Sequence, residues 1–223
     1  MPDRLLYFIC FHVRSGSQWL CSMINCTGEA GRAEEVYYRI KTDIPSGWRE
    51  MDGKDIGVKL SCQQMKEIWP HVGPERDSAR FVFLYRRDVW AAAVSAYIAE
   101  QSKVWVNPRD DFRSPGRCYD VHDMPFSEES IVGKYNHIRN EQVEWNDWFI
   151  ANSITYMRTC YEDLQDDPVG TTRRVLDYIG RPYSGNIDTT CTNVQRTNKT
   201  SAWANTLREK YGNPESLPVV TTK

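Results

Sequence analysis

The sequence lacks a long hydrophobic run, and this absence excludes a membrane-spanning helix. A transmembrane helix needs about 18 or more consecutive apolar residues, and no stretch of the 223 residues approaches that length. The apolar run at residues 5–13 is preceded by one basic residue, Arg4, and is followed by no small-residue cleavage site. A signal peptide has a basic region and such a site. We therefore expect a soluble, cytoplasmic protein.

Paired cysteines and paired histidines are also missing. The seven Cys include no CxxC pair, and the four His include no HxxH or HxxxH pair. Zinc sites and the disulfide frameworks of small domains are recognised by such spacings. Cys10, Cys21 and Cys160 lie in apolar runs, which is typical of cysteines that act as small hydrophobic core residues. The sequence therefore predicts neither a disulfide framework nor a metal site.

An excess of charge of one sign is absent as well. The chain has 28 Lys and Arg against 30 Asp and Glu, a net charge of −2. Nucleic-acid-binding domains are usually basic, so we expect no nucleic-acid partner, although a small anion needs only a few local basic residues. Length and a 40% hydrophobic fraction fit a single globular domain. We place this domain at residues 1–212, and we predict a flexible C-terminal tail at residues 213–223.

Short apolar runs alternate with helical patterns along the chain. The predicted strands lie at residues 5–13, 56–60, 80–85 and 154–161. Long helices are predicted at residues 89–101 and 127–150. A further helix has Asp167 as its N-cap, Pro168 at its first position and Gly180 just past its end. This alternation predicts an α/β fold, in which a mostly parallel central sheet is flanked by helices on both faces.

The first predicted strand breaks on a small, polar loop before a helix. The loop residues are Arg14, Ser15, Gly16, Ser17 and Gln18. A Gly and two Ser at a helix start let backbone N–H groups converge on one point, where the helix dipole also favours negative charge. The pattern favours a binding site for phosphate or sulfate. An ordinary strand-to-helix turn remains the alternative, because short motifs often misfire.

A second strand–loop–helix unit carries Arg86 and Arg87 directly after the predicted strand at residues 80–85. In open α/β sheets, ligands bind beyond the carboxyl ends of the strands, so the two units suggest one shared ligand crevice. Surface charge at a helix start is the alternative for the two Arg. However, the helix dipole disfavours cations at that position, and a bound anion explains them better.

Glu34 and Glu35 follow soon after the first loop, beside two Tyr residues. A carboxylate near an anion-binding loop can act as a general base, but a solvated surface pair is the simpler interpretation of these two residues alone. Lys59 lies inside the predicted strand at residues 56–60. A lysine in a buried strand should lie near its end, where the ammonium group can reach solvent or an anion.

Together these motifs resemble the sulfotransferases that use 3′-phosphoadenosine 5′-phosphosulfate (PAPS), in particular the bacterial family that includes trehalose 2-sulfotransferase. The similarity covers most of the chain, to about residue 212. Each motif is weak alone, whereas their order and spacing are specific. The motifs are RSGS at 14–17, TGEAG at 27–31, VKL at 58–60, RRD at 86–88 followed by VS at 94–95, AEQSKVW at 99–105, YEDL at 161–164, DPVGTTRRVLDYIG at 167–180, and Arg196 with Trp203.

The resemblance implies a P-loop-like sulfotransferase fold and a role for each candidate residue. Residues 14–18 would hold the 5′-phosphosulfate of PAPS. Arg86 and Ser95 would hold the 3′-phosphate, and Arg87 is an alternative to its neighbour. Arg196 resembles the C-terminal Arg that closes over the nucleotide. The resemblance also suggests a homodimer.

The same resemblance implies the chemistry. A substrate hydroxyl would attack sulfur in line, with Glu35 as the catalytic base and with Arg14 or Lys59 stabilising charge on the leaving phosphate. No metal would be required. An ATP-dependent P-loop-like phosphotransferase is the alternative enzyme, but the loop lacks the Lys and the second Gly of GxxxxGK[ST]. A catalytically silent nucleotide-binding protein is the third possibility.

Two departures from the family pattern concern the donor loop and the acceptor. Gln18 stands where related sequences usually have Thr after RSGS, and the chain is shorter than typical members. The loops at residues 39–54 and 103–127 would shape the acceptor pocket, and Trp48 and Trp105 within them could stack on a sugar. We expect the acceptor to be a carbohydrate or a small metabolite.

Overall fold

The computed structural model describes residues 5–35, 55–105, 124–190 and 198–212. The strands are β1 (Leu6–Phe11), β2 (Arg32–Glu34), β3 (Ile56–Leu60), β4 (Arg80–Tyr85) and β5 (Met157–Cys160). The α-helices are α1 (Ser17–Thr27), α2 (Cys62–Ile68), α3 (Val89–Ser102), α4 (Glu128–Ala151), α5 (Tyr161–Asp166), α6 (Pro168–Tyr178) and α7 (Asn198–Tyr211). Two 3₁₀ turns, Trp69–His71 and Pro74–Ser78, precede β4.

The strands form one five-stranded sheet in the order β2-β3-β1-β4-β5, and all neighbouring strands are parallel. In the central strand, Phe8 pairs with Val58 on one side and with Phe81 on the other. Because all five strands run in the same direction, their carboxyl ends lie at one edge of the sheet. The prediction of an α/β fold with a parallel central sheet is confirmed.

The side chains of β1 show why the sheet is covered on both faces. Leu6, Phe8 and Cys10 belong to a hydrophobic cluster with residues of α2 and α4. Tyr7 and Ile9 point the other way, into a cluster with residues of α1 and α6. Burying a side chain of the size of Phe8 or Ile9 stabilises the fold by about 1.5–3 kcal/mol. A third cluster joins α3, α4 and α7.

Helix caps agree with the sequence signals. The Asp167 side chain accepts a hydrogen bond from the Gly170 N–H and Pro168 begins α6, as predicted. The Asp88 side chain caps α3 through the Ala91 N–H. Cys10, Cys21 and Cys160 are buried free thiols, as their apolar surroundings predict. None of the helices in the described ranges is long and apolar enough to cross a membrane.

Two strands differ from the sequence prediction. The three residues of β2 have no strand-like apolar pattern and were not predicted as a strand, but they pair with β3 at the edge of the sheet. The strand predicted at residues 154–161 is shorter, since β5 pairs with β4 only from Met157 to Cys160. The chain turns into α5 at that point, where the Cys160 thiol accepts a hydrogen bond from the Asp163 N–H.

Candidate active site

The candidate residues that the structure describes lie at the carboxyl edge of the sheet. Loop 12–16 follows β1, Glu35 follows β2, Lys59 lies near the end of β3, and Arg86 and Arg87 follow β4. The parallel topology therefore brings together residues that are far apart in sequence, at the edge where open α/β sheets bind ligands.

The loop between β1 and α1 has a backbone shape that suits close approach of an anion. Arg14 and Gly16 both have positive φ angles, 64° and 84°. Gly16 is the N-cap of α1 and has no side chain to cap the helix, so the first N–H groups of α1 are left for another acceptor. The Ser15 hydroxyl is completely buried and has no hydrogen-bond partner within the described residues. These features fit an anionic ligand.

Gly16 is also required because the Tyr161 ring packs against it. A Cβ atom at this position would lie 2.6 Å from Cδ2 of Tyr161. The Tyr161 ring therefore packs directly against the loop, which leaves no space for a larger residue.

Arg14 joins the loop to α3. Its Nε donates to the Ser95 hydroxyl oxygen at 2.8 Å, and its NH1 donates to the Trp105 carbonyl oxygen at 2.5 Å. Burial, with a further contribution from the positive charge of Arg86, lowers the pKa of Arg14 to about 10. The guanidinium group remains protonated at neutral pH. Arg14 thus links the anion loop, of which it is part, to the helix that carries Ser95.

Arg86 and Arg87 point in different directions. Arg86 is only 7% exposed, its guanidinium lies 4.4 Å above the Tyr161 ring, and its NH1 donates to the Arg14 carbonyl oxygen at 3.5 Å. The side chain of Arg87 is 50% exposed and forms a 2.9 Å ion pair with Asp163. Arg86 therefore lies next to the anion loop, whereas Arg87 is directed to a surface carboxylate.

Glu35, Lys59 and Gln18 form a second charged group on the other side of the loop. The Lys59 ammonium lies 3.2 Å from a Glu35 carboxylate oxygen and donates to the Gln18 side-chain oxygen at 3.2 Å. The Lys59 side chain is 9% exposed and that of Glu35 is 41% exposed. A buried cation thus lies between the start of α1 and a carboxylate that is partly exposed to solvent.

Comparison with known proteins identifies the class of enzyme. A family model described as Stf0 sulphotransferase matches residues 60–210, about two thirds of the chain. The chain belongs to the Stf0 sulphotransferase family. The resemblance inferred from the motifs is confirmed, and the chain is a sulfotransferase. No curated protein matches it in sequence.

Solved structures agree with the sulfotransferase fold. The sulfotransferase domain of the Synechococcus PCC 7002 olefin synthase is 13% identical, with 93% of this chain and 96% of that chain covered and a TM-score of 0.51. A sulfotransferase from Alicyclobacillus acidocaldarius is 13% identical, with 93% and 92% covered and a TM-score of 0.51. The sulfotransferase domain of the curacin biosynthetic pathway is 10% identical, with 93% and 98% covered and a TM-score of 0.54. At these identities the likeness concerns the fold.

The candidate site also contains residues that sequence reasoning did not single out. Tyr161 and Glu162 belong to the YEDL motif, yet the motif alone gave them no role. The Glu162 carboxylate accepts the backbone N–H groups of Arg87 and Asp88, each at 3.0 Å, and so holds the turn that carries Arg86. Their position directly after a strand was the signal that could have identified them.

His12 was missed as well, although it directly precedes the anion loop. It is fully buried, and burial lowers its pKa to about 4 despite the hydrogen bond to the Val13 carbonyl, which acts in the opposite direction. A residue of α4, Gln142, is also buried and contacts it.

Some predicted positions lie outside the described residues. These are Arg196, Trp48, the loop at residues 39–54, most of the loop at residues 103–127, and the predicted tail at residues 213–223. Trp105 is described, and 45% of its surface is exposed.

Proposed function

We propose that this sulfotransferase moves a sulfuryl group from PAPS to a hydroxyl group of a carbohydrate or small-metabolite acceptor. The observation that carries the proposal is the pair of charged groups flanking one anion loop. Arg14, Ser95 and Arg86 lie on one side, and Glu35 and Lys59 lie on the other. This arrangement supports binding of a nucleotide with two anionic groups, with a base next to one of them.

The residues around the loop fit the donor. The buried Ser15 hydroxyl and the N-terminus of α1 would hold the 5′-phosphosulfate, because both offer hydrogen-bond donors to an anion. Arg86 and Ser95 would hold the 3′-phosphate, and we propose the same closing role for Arg196 that the family resemblance implies. Arg87 is less suited, since its side chain is half exposed and its guanidinium group pairs with Asp163, whereas Arg86 is buried beside the anion loop.

Sulfuryl transfer would proceed by in-line displacement, with Glu35 as the proton acceptor. The acceptor oxygen would form a bond to sulfur while the bond between sulfur and the bridging phosphate oxygen breaks. The hydroxyl proton would pass to the Glu35 carboxylate, and adenosine 3′,5′-bisphosphate would leave with the bonding electron pair. General-base assistance of this kind contributes about 10²–10⁴-fold to the rate.

Lys59 and Arg14 would stabilise the charge that develops on the leaving oxygen. Both are cations in partly or largely buried positions, where a charge interacts more strongly than in water. Lys59 also contacts Glu35 at 3.2 Å.

Trp105 supports an acceptor with an extended surface, such as a sugar. Its carbonyl oxygen accepts a hydrogen bond from Arg14, so the residue is fixed beside the anion loop, while 45% of the residue is exposed. An exposed aromatic side chain next to convergent polar groups is typical of small-molecule sites. A second Trp, Trp48, is proposed to contribute in the same way.

Ligand-dependent melting tests the donor. Adenosine 3′,5′-bisphosphate at 100 times its Kd should stabilise the protein by about 2.7 kcal/mol. For a chain of this size that corresponds to a Tm increase of about 5–10 °C. ATP with Mg²⁺ at the same concentration is the control and should have a smaller effect. Stabilisation by ATP but not by the bisphosphate would rule out PAPS as the donor.

Transfer itself is tested with labelled PAPS and a panel of sugars, glycolipids and phenols. Label should appear on a hydroxyl-bearing acceptor, and sugars should compete better than phenols. Bisphosphate binding without transfer to any member of the panel would favour a nucleotide-binding protein that lacks catalysis.

A further inference from the structure

His12 lies at the junction of the two loops that flank the proposed nucleotide site. Its Nδ1 lies 3.0 Å from the Val13 carbonyl oxygen, and its Nε2 lies 2.9 Å from the backbone nitrogen of Arg86. A carbonyl oxygen only accepts hydrogen bonds and a backbone N–H only donates them. Nδ1 therefore carries the proton and Nε2 accepts, so the contacts select one neutral tautomer.

Gln142 of α4 completes this network. Its Nε2 donates to the Arg86 carbonyl oxygen at 3.2 Å and lies 3.2 Å from His12 Nε2. Both backbone polar groups of Arg86 are therefore held by buried side chains. The same helix holds the end of β1, because Trp145 Nε1 donates to the Phe11 carbonyl oxygen at 3.0 Å.

These contacts set the position of Arg86 relative to the anion loop. The His12 imidazole joins the residue at the start of that loop to the backbone of Arg86, and the Arg86 side chain then reaches back to the Arg14 carbonyl oxygen. An apolar core residue could fill the same space, but it could not accept the Arg86 N–H. The network therefore fixes the distance between Arg86 and the anion loop, in addition to packing the core.

We propose that His12 is a positioning residue that fixes the distance between the two anion-binding points. The site would then favour a ligand with anionic groups at both ends over a ligand with one, because a fixed spacing lets both groups bind without further ordering. The inference rests on the proposed function, since it takes a nucleotide with a 3′-phosphate and a 5′-phosphosulfate as the ligand.

Two amide variants provide a matched test. In His12→Gln, the side chain is long enough for its oxygen to accept the Arg86 N–H where Nε2 does now. In His12→Asn, the shorter amide can replace only the contact to Val13. Leaving the buried Arg86 N–H without an acceptor should weaken adenosine 3′,5′-bisphosphate binding about tenfold. Adenosine 5′-phosphate should lose less than about twofold, and His12→Gln should retain most of the bisphosphate affinity.

The decisive quantity is the ratio of the two affinities, measured by calorimetry on the purified full chain. A purely structural role would lower Tm without changing this ratio, so an unchanged ratio in His12→Asn would overturn the inference. If His12→Asn does not fold, Gln142→Met takes its place, because it removes the donor to the Arg86 carbonyl oxygen. The same selective loss would support the inference, and equal losses for the two ligands would overturn it.

The outcome for the unmodified chain separates the two proposals. If it binds the bisphosphate tightly and the variants keep its affinity ratio, only the role of His12 is overturned. If it does not bind the bisphosphate, the proposed donor fails and the inference about His12 fails with it.

Discussion

Replacing Arg86 by Met should weaken binding of the 3′-phosphate of the proposed nucleotide and leave binding of its 5′ end almost unchanged. The substitution removes the guanidinium group but keeps an unbranched stem that can still pack against the Tyr161 ring, where the guanidinium now lies at 4.4 Å. We expect adenosine 3′,5′-bisphosphate to lose affinity and adenosine 5′-phosphate, which lacks the 3′-phosphate, to bind almost as before.

The structure sets the expected magnitude. Arg86 is only 7% exposed, so its contacts to a phosphate would be charge-assisted hydrogen bonds in a largely desolvated place, worth about 1.5–3 kcal/mol. This energy corresponds to a loss of about 10- to 150-fold in affinity. Arg87→Met is the matched control, because that side chain is half exposed and pairs with Asp163. An exposed pair contributes less than about 1 kcal/mol, and neither ligand should be affected.

Isothermal titration calorimetry of both ligands at one ionic strength gives the required ratios. Ionic strength must be held constant because salt screens the interactions of exposed charges. Equal losses for the two ligands in Arg86→Met would contradict a 3′-phosphate role. A selective loss of bisphosphate affinity in Arg87→Met, with none in Arg86→Met, would show that Arg87 binds the 3′-phosphate. That result would refute the argument from burial.

Three further predictions concern the base, the loop and a buried imidazole. Glu35→Gln should lower turnover with labelled PAPS by about 10²–10⁴-fold while changing bisphosphate affinity less than about twofold, and unchanged turnover would remove Glu35 as the base. Gly16→Ala should lower the free energy of unfolding by at least about 1 kcal/mol more than Gly28→Ala. Both positions have positive φ, but only Gly16 faces the Tyr161 ring. Equal losses of stability in urea unfolding would contradict a steric effect of this contact. Burial lowers the pKa of His12 to about 4, against about 6.5 in the unfolded chain, so the unfolded state binds more protons between these values. Stability should be full above about pH 6.5 and fall by about 2 kcal/mol from pH 7 to pH 5, and His12→Gln should show a correspondingly weaker pH dependence.

The fold could be predicted where local signals and burial agree. The apolar run of β1 and the Asp167–Pro168 start of α6 have strong local patterns, and both elements were predicted. β2 could not be predicted, because Arg32–Glu34 has no apolar alternation and becomes a strand only by pairing with β3. Edge strands owe their conformation to a neighbour that is distant in sequence, and single-sequence patterns do not contain that information.

The motifs indicate which residues are candidates for the site, but they do not indicate the distances between those residues. The anion loop and the two Arg after β4 were identified from their positions at strand ends. The contact between Arg14 and Ser95 joins residues 81 positions apart, and nothing in either local pattern indicates it. The choice between Arg86 and Arg87 likewise depends on which side chain turns towards Tyr161, which adjacent residues of the same type cannot reveal.

Gln18 departs from the family motif, and its contact with Lys59 suggests a structural role for this departure. By sequence, Gln in place of Thr in the anion loop suggests that a hydroxyl contact to phosphate is lost or is replaced by an amide contact. In the fold, the longer amide accepts a hydrogen bond from the Lys59 ammonium at 3.2 Å, and that ammonium also contacts Glu35. Thr is too short to make the same reach from the first turn of α1. Gln18 therefore links the anion loop to the lysine beside the proposed base, so a residue that departs from the motif connects the loop with the charged group of Lys59 and Glu35.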